Sequence, residues 1–181
     1  MSGEALRVEE QKPLKLDLGC GKNKKEGFLG VDIRGFDGVD VVFDLSQKWP
    51  WEEGSVEEVN CSHFVEHLIA PERIHFANEL HRVLAKGAKA TLIVPSWSSC
   101  RAYGDLTHQW PPVSEFWFNY LNKAWREANA PHNDAYTCDF DFTVGYGMHP
   151  QMALRNQEFQ MFAFMFYKEA AQDIVATLIK K

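Results

Sequence analysis

A short run of glycine and acidic residues, Leu16-Asp-Leu-Gly-Cys-Gly21, follows the first apolar segment of the chain. Glycines at 19 and 21 allow the backbone to turn sharply and to come closer to a ligand than a Cβ would permit. The next apolar segment ends in Gly30-Val-Asp-Ile33. The Asp32 carboxylate can accept hydrogen bonds from both ribose hydroxyls, as acids do at this point of open α/β sheets. The spacing therefore predicts a site for a cofactor that contains a nucleoside.

The residues after the glycine turn discriminate between nucleoside cofactors. A dinucleotide fingerprint requires G-x-G-x-x-G, and its third glycine packs a helix closely against the sheet. In this chain the third position is Lys24, whose long side chain would obstruct that packing. NAD and FAD are therefore disfavoured, and the acid before the turn, Asp17, favours a ligand that carries a positive charge.

Four segments resemble, in order, the class I S-adenosylmethionine-dependent methyltransferases, especially the small type 11 group. They are Leu16–Gly21 as motif I, Val42–Leu45, Ser62–Leu68 and Glu79–Gly87. The resemblance covers roughly residues 14 to 95, about half of the chain. It implies S-adenosyl-L-methionine as the cofactor and an α/β fold, a Rossmann-like doubly wound sheet that is mostly parallel with an antiparallel last strand.

The resemblance also implies roles for individual residues. Asp32 would bind the ribose, Asp44 the adenine amino group, and Asp17 the methionyl ammonium. Considered as residue types alone, Asp17 could instead orient the turn, Asp44 could cap a turn, and His63 could be a structural histidine. The full set of predicted cofactor-binding residues is Asp17, Gly19, Cys20, Gly21, Asp32, Ile33, Asp44, Leu45, Ser62 and His63.

The connection after motif I departs from the family pattern. Only seven residues, Lys22 to Phe28, separate the turn from the next strand, too few for the usual helix. We therefore expect a loop in place of the helix N-terminus that normally helps to hold the cofactor's carboxylate. Lysines 22, 24 and 25 could supply positive charge there, or could simply be solvated.

Alternating apolar segments predict a parallel sheet with helical crossovers. Pro71 begins a helix whose apolar face is Ile74, Ala77, Leu80 and Leu84, and Gly87 ends it as a C-terminal cap. A second helix through Phe159, Phe162, Phe166 and Ala170 is expected to be heavily buried, as core rather than as a dimer interface. The predicted strands are residues 14–18, 29–33, 39–44, 56–62, 89–94, 139–144 and 174–179, with the last strand between strands five and six.

Methyl transfer requires few catalytic side chains, because the sulfonium already activates the methyl group and the enzyme mainly aligns a nucleophile behind it. A base is needed only when the acceptor carries a proton that must leave. Asp105-Leu-Thr-His108 is similar to the D-x-T-H run that borders the acceptor site in type 11 relatives. His108 is the first catalytic and substrate-binding candidate, His63 is the second catalytic candidate, and Trp110 is a candidate wall of the acceptor pocket. A backbone-bonded loop histidine and a core aromatic are the alternatives.

A metal site is not predicted. His63 and His67 are four residues apart, but spacing places no third ligand beside them. The four cysteines, at 20, 61, 100 and 138, lack C-x-x-C spacing and are expected to be reduced thiols of a cytoplasmic protein.

Several acceptor classes are disfavoured. DNA amino-methyltransferases carry [DNS]-P-P-[YFW] after strand four, where this chain has Ser62-His-Phe-Val65. Cys100 lacks the flanking motif of a cytosine-C5 enzyme, and a net charge of −6 argues against broad adhesion to nucleic acid. A small-molecule acceptor is favoured, and a nucleic acid is not excluded. The alternatives are an enzyme that cleaves or rearranges S-adenosylmethionine and a non-catalytic nucleoside-binding module.

Length and composition indicate one domain over residues 14–181, with a frayed N-terminus at 1–13 and acceptor-side loops and a cap at 97–150. The polar N-terminus does not resemble a signal peptide, and no apolar run reaches the roughly 18 residues of a membrane span. The sequence gives no indication of oligomeric state.

Overall fold

The computed structural model describes residues 13–181, so the expected fraying of residues 1–13 lies outside the described residues apart from Pro13. The strands are β1 (Leu14–Leu18), β2 (Leu29–Asp32), β3 (Val41–Val42), β4 (Val56–Ser62), β5 (Leu84–Pro95), β6 (Phe140–Met148) and β7 (Ala171–Lys180). The helices are α1 (Ala70–Val83), α2 (Arg101–Gly104), α3 (Glu115–Asn119), α4 (Lys123–Asn129), α5 (Pro150–Ala153) and α6 (Gln157–Phe166), with a 3-10 turn at Val65–His67.

The seven strands form one sheet in the order β3-β2-β1-β4-β5-β7-β6. Strands β1 to β5 are parallel, and β7 pairs antiparallel with both β5 and β6. The predicted doubly wound sheet, with its last strand between strands five and six, is therefore confirmed. Strand β6 extends through Met148, four residues beyond the predicted end at 144, so the last part of the expected acceptor-side cap is sheet.

The core lies on both faces of the central strands. Leu16, Leu18, Val31 and Leu92 have no exposed surface, as expected for parallel strands covered on both sides. Helix α1 covers one face through buried apolar side chains at Phe76, Ala77, Leu80 and Val83. Among residues 13–181, no helix has the length and hydropathy that a bilayer crossing requires.

The predicted C-terminal cap at Gly87 is wrong. Helix α1 already ends at Val83, and Leu84 is both its C-cap and the first residue of β5. Gly87 instead has a φ of +78° at an irregularity of β5, where the pairing with β4 jumps from Leu84 to Lys89. The left-handed backbone that favours glycine is therefore used to re-register a strand and not to stop a helix.

The predicted burial of the C-terminal helix is also wrong. In α6 only Ala163 is buried, whereas Met165 is 71% exposed and Phe166 is 65% exposed. The helix contacts the sheet on one side, where the Phe164 ring lies 4.6 Å from the ring of Tyr146 in β6. Apolar periodicity identified the helix correctly, but it does not specify how much of the helix a neighbouring layer covers.

A partly buried ion pair within α1, between Glu79 and Arg82, is hydrogen-bonded to the segment before β4. The Glu79 carboxylate is 2.7 Å from both the Trp49 backbone nitrogen and Arg82 Nη2. We expect Glu79→Ala to lower the free energy of unfolding by about 1–3 kcal/mol, because it leaves the buried Trp49 N–H without an acceptor. Urea unfolding measures this change. Glu127→Ala, which removes an exposed carboxylate 3.9 Å from Lys123, is the control and should cost less than about 0.5 kcal/mol.

The same ion pair predicts a pH dependence. Hydrogen bonds from Arg82 hold the pKa of Glu79 below its ordinary value of 4.5. A lowered pKa in the folded state means that the stabilisation is complete above 4.5 and is lost as the pH falls through the folded value. The difference in unfolding free energy between the native chain and Glu79→Ala should be constant from pH 7 to pH 5 and should shrink below 4.5. A difference that does not change with pH would contradict this account.

Candidate active site

The predicted site residues lie at the carboxyl edge of the parallel strands. Strand β1 pairs with β2 on one side and with β4 on the other, so the crossovers leave it in opposite directions. Ligands of open α/β sheets bind in the crevice at such a switch point. The glycine turn follows β1, Asp32 ends β2 and Ser62 ends β4, opposite Ile93 of β5.

The glycine turn is bonded to the end of β2. The backbone nitrogens of Gly19 and Cys20 both donate to the Val31 carbonyl, at 2.8 and 3.2 Å. Gly19 and Gly21 have φ values of +66° and +53°, which favour glycine at both positions. The Cys20 side chain is buried, and desolvation raises the pKa of its thiol.

Asp32, the residue predicted to bind the ribose, is hydrogen-bonded to the glycine turn. Its Oδ2 accepts from the Gly21 backbone nitrogen at 2.9 Å, and its Oδ1 accepts from the Arg34 nitrogen at 2.9 Å. A carboxylate offers about four acceptor positions, so two remain free on this partly exposed side chain. The carboxylate is thus held in place by the backbone and can still accept from hydroxyl groups.

Asp17 is buried, with 3% of its surface exposed. Its Oδ2 accepts from the Lys25 backbone nitrogen at 2.7 Å, and its Oδ1 accepts from Asn60 Nδ2 at 2.6 Å. These bonds hold the loop between Gly21 and Leu29, which contains no helix, against β1 and β4. The Asp17 side chain therefore orients the loop that follows the glycine turn.

A cavity of about 300 Å³ lies beside the ends of β2 and β3. This volume is at the lower end of the range found for small-molecule sites. Hydrogen bonds from Ser46, with its backbone nitrogen 2.9 Å from Oδ1, lower the pKa of Asp44 and keep it ionised at the cavity wall. The cavity is lined by Ile33, Phe43, Asp44, Leu45, Ser46, Phe64, Leu68 and Glu72.

Phe64 lies at the site, although the sequence pattern predicted no role for it. Its side chain lies directly over the glycine turn, since a Cβ built on Gly19 would be 2.5 Å from the Phe64 ring. Phe64 also lines the cavity beside Asp44. Its position immediately after β4 was the available signal, because strand ends at this edge face the site.

His63 lies among charged groups. Its backbone has a φ of +54°, which is uncommon for a residue other than glycine. Its Nδ1 is 3.2 Å from Glu66 Oε1, and its Nε2 is 4.0 Å from Asp173 Oδ1. The hydrogen bond with Glu66 raises the pKa of His63 against an opposing effect of burial. The Asp173 carboxylate also pairs with Arg101 at 2.7 Å, so β7 contributes to a charged cluster that the sequence did not indicate.

His108 lies beside the turn that follows β4, in contact with another histidine. The rings of His108 and His67 are 4.8 Å apart at 75°, and His108 Nδ1 is 3.2 Å from the Ala102 carbonyl. Trp110 is 78% exposed. A nearby aromatic cavity of about 340 Å³ is lined instead by other residues: Arg73, Pro111, Pro112, Ser114, Phe116, Trp117, Tyr120, His132, Asn133 and Tyr136.

Comparisons with known proteins identify the fold. No family model matches the chain, and no curated protein matches it in sequence. Among solved structures, an S-adenosylmethionine-dependent methyltransferase from Archaeoglobus fulgidus is 19% identical with a TM-score of 0.67, over 93% of this chain and 86% of that chain. A possible histamine N-methyltransferase from Thermotoga maritima is 16% identical with a TM-score of 0.58, over 94% and 83%.

A third structure adds a bound cofactor product. Geranyl diphosphate C-methyltransferase from Streptomyces coelicolor A3(2), in complex with Mg²⁺, geranyl diphosphate and S-adenosyl-L-homocysteine, is 14% identical with a TM-score of 0.52, over 93% of this chain and 71% of that chain. Together these structures show that the chain has the class I fold of S-adenosylmethionine-dependent methyltransferases.

The contact between Gly19 and Phe64 predicts different costs for two similar substitutions. Gly21→Ala should lower the unfolding free energy by about 1–2 kcal/mol, because φ is positive but no atom lies within 4 Å of the new Cβ. Gly19→Ala should cost about 1–3 kcal/mol more, because the Cβ meets the Phe64 ring. Urea unfolding measures the cost of each substitution. In a chain that already carries Phe64→Ala, Gly19→Ala should cost no more than Gly21→Ala does. Equal costs for the two alanines would contradict the predicted contact.

Proposed function

We propose that this protein transfers a methyl group from S-adenosyl-L-methionine to an acceptor. The observation that carries the proposal is the Asp32 carboxylate, fixed 2.9 Å from the Gly21 nitrogen with acceptor positions left over, next to the cavity that Asp44 lines. This arrangement fits a nucleoside with its ribose on Asp32 and its base in the cavity. The class I methyltransferase fold of the solved structures supports the same ligand.

The residues present fit S-adenosylmethionine better than a dinucleotide. At the third position of the glycine pattern, Lys24 pairs with Asp40 at 2.8 Å and crosses close to Gly30, where a dinucleotide site would need close helix packing. Ionised Asp44 can accept from the adenine amino group, and Ile33 and Leu45 supply apolar surface beside it. The remaining proposed cofactor contacts are Cys20 in the glycine turn, Ser62 at the end of β4, and His63 directly after it.

Bound S-adenosylmethionine would supply an activated methyl group, so the protein's part is orientation and removal of a proton. The loop that Asp17 holds carries Lys22 and Lys25 beside the glycine turn, where they can neutralise the carboxylate of the methionyl group, whereas Lys24 is paired with Asp40. His63 and His108 are the candidate bases, since both combine a partly buried ring with neighbouring acceptors.

For the acceptor we favour a small molecule. A net charge of −6 and the cavity volumes of about 300 Å³ suit a compact ligand better than an extended polyanion. The cytoplasm is the compartment we propose, because all four cysteines are free thiols, three of them buried.

Isothermal titration calorimetry tests the cofactor. The purified chain should bind S-adenosylmethionine and S-adenosylhomocysteine, and it should not bind NAD. Asp32→Ala should weaken binding by about 10- to 100-fold, the loss expected for hydrogen bonds to a charged group. Asp37→Ala, which removes an exposed carboxylate five residues away, is the control and should leave the affinity unchanged. Binding of NAD alone, or equal affinities for both variants, would contradict the assignment.

Incubation with S-adenosylmethionine labelled in its methyl group tests the transfer. Label in a small-molecule fraction would support the favoured acceptor, and label in nucleic acid would replace it. Cofactor breakdown without a labelled acceptor would support an enzyme that cleaves the cofactor, and tight binding without breakdown would support a binding module.

A further inference from the structure

Three side chains that the proposed cofactor site does not use for binding meet beyond the carboxyl end of β4. Glu66 and His67 lie in the 3-10 turn Val65–His67, and His108 reaches them from the loop after α2. One ligand atom from each lies within 4.8 Å of the others. We call these three residues the Glu66 cluster.

The long loop that carries His108 is fixed against the 3-10 turn by a buried arginine. Arg73 of α1 donates to the carbonyl of Gln109 at 3.0 Å and to the carbonyl of Pro111 at 2.6 Å. The Gln109 backbone nitrogen also donates to the Glu66 carbonyl at 2.8 Å. His108 is therefore held beside His67 by bonds on its C-terminal side, although 41 residues separate the two in sequence.

Hydrogen bonds decide which ring nitrogen of His67 is free. The Thr107 hydroxyl donates its only proton to Asp105 Oδ1 at 2.7 Å, so towards His67 Nδ1, at 3.0 Å, it can act only as an acceptor. His67 therefore carries its proton on Nδ1, and its Nε2 has a free lone pair.

The same reasoning applies to His108. Its Nδ1 faces the Ala102 carbonyl at 3.2 Å, and a carbonyl can only accept. The proton is again on Nδ1 and the lone pair on Nε2, which is 3.9 Å from Asp105 Oδ2, beyond hydrogen-bond distance. Metal-binding histidines in proteins are oriented by this kind of bond from the second ring nitrogen.

Glu66 supplies the third electron pair. Its side chain is only 5% exposed, and its Oε1 is bonded to His63 at 3.2 Å. Its Oε2 is buried, and no donor among residues 13–181 lies within hydrogen-bond distance. A buried carboxylate oxygen without a partner is costly, so the oxygen needs either a donor or a cation.

We propose that the Glu66 cluster binds a divalent transition-metal ion through Glu66 Oε2, His67 Nε2 and His108 Nε2. Two imidazoles and one carboxylate are the donor set that iron(II), manganese(II), cobalt(II) and zinc(II) accept, whereas magnesium and calcium prefer oxygen ligands alone. Three protein ligands leave coordination positions open for water or an oxygen-bearing ligand. The site does not depend on the proposed methyl transfer. A metal on His108 Nε2 would occupy the lone pair that a base requires, so His63 would then be the candidate base.

The sequence predicted no metal site because its histidine spacing offered only two candidate ligands, His63 and His67. The fold changes the set: His63 is bonded to the Glu66 carboxylate, and the third ligand comes from the D-x-T-H run of the acceptor side. The expectation of no metal is therefore replaced by this proposal.

Metal titrations of the whole chain test the site. After dialysis against EDTA, the chain is titrated with Mn²⁺ and Zn²⁺ by calorimetry and with Co²⁺ by visible absorption. We expect one saturable equivalent of each metal and a Co²⁺ ligand-field spectrum that shows nitrogen coordination. Absence of saturable binding at millimolar metal would overturn the proposal.

Variants distinguish this site from binding elsewhere. His108→Asn and Glu66→Gln should each weaken metal binding by about 100-fold, and Thr107→Val, which removes the acceptor from His67 Nδ1, by about 10-fold. His132→Asn removes an exposed histidine outside the cluster and should change nothing. Circular dichroism confirms that each variant is folded. If Glu66→Gln does not fold, His108→Asn still tests the site. Equal affinities for His108→Asn and His132→Asn would overturn the proposal.

Discussion

The candidate site depends on two hydrogen bonds to one carbonyl. Gly19 and Cys20 both donate to Val31, and this places the end of β1 directly against the end of β2. Because the turn is held there, the Gly21 nitrogen meets the Asp32 carboxylate and the Phe64 ring can pack over Gly19. A larger residue at position 19 would separate these strand ends, and the ribose acceptor and the cavity wall would both move.

The short connection between β1 and β2 is stabilised by a different means from the usual helix. A buried carboxylate, Asp17, bonds the Lys25 nitrogen on one side and Asn60 of β4 on the other. A loop has no internal hydrogen-bond ladder, so its backbone groups require such partners. The bonds of Asp17 explain how the fold tolerates the loss of a helix and why the loop lysines remain close to the glycine turn.

Long-range polar contacts organise the acceptor side. Buried Arg73 satisfies carbonyl groups of the loop that carries His108, and Glu66 receives a bond from Gln109 through its backbone. These contacts cross between α1, the 3-10 turn and the loop. They fix the loop that carries His108, which has no regular structure, in one position. They also bring together the three side chains of the Glu66 cluster.

Local pattern in the sequence determined the strands, helix α1, helix α6 as an element, and the motif I turn, since glycine placement and apolar periodicity act over a few residues. The sheet order followed from alternation and handedness. Burial of α6 and the end of α1 at Val83 were decided only in three dimensions, because they depend on which layer covers a helix and where a strand must begin. The same holds for Phe64 and the Glu66 cluster, since residues 66 and 108 meet through long-range bonds of Arg73 and Gln109 that no spacing rule contains.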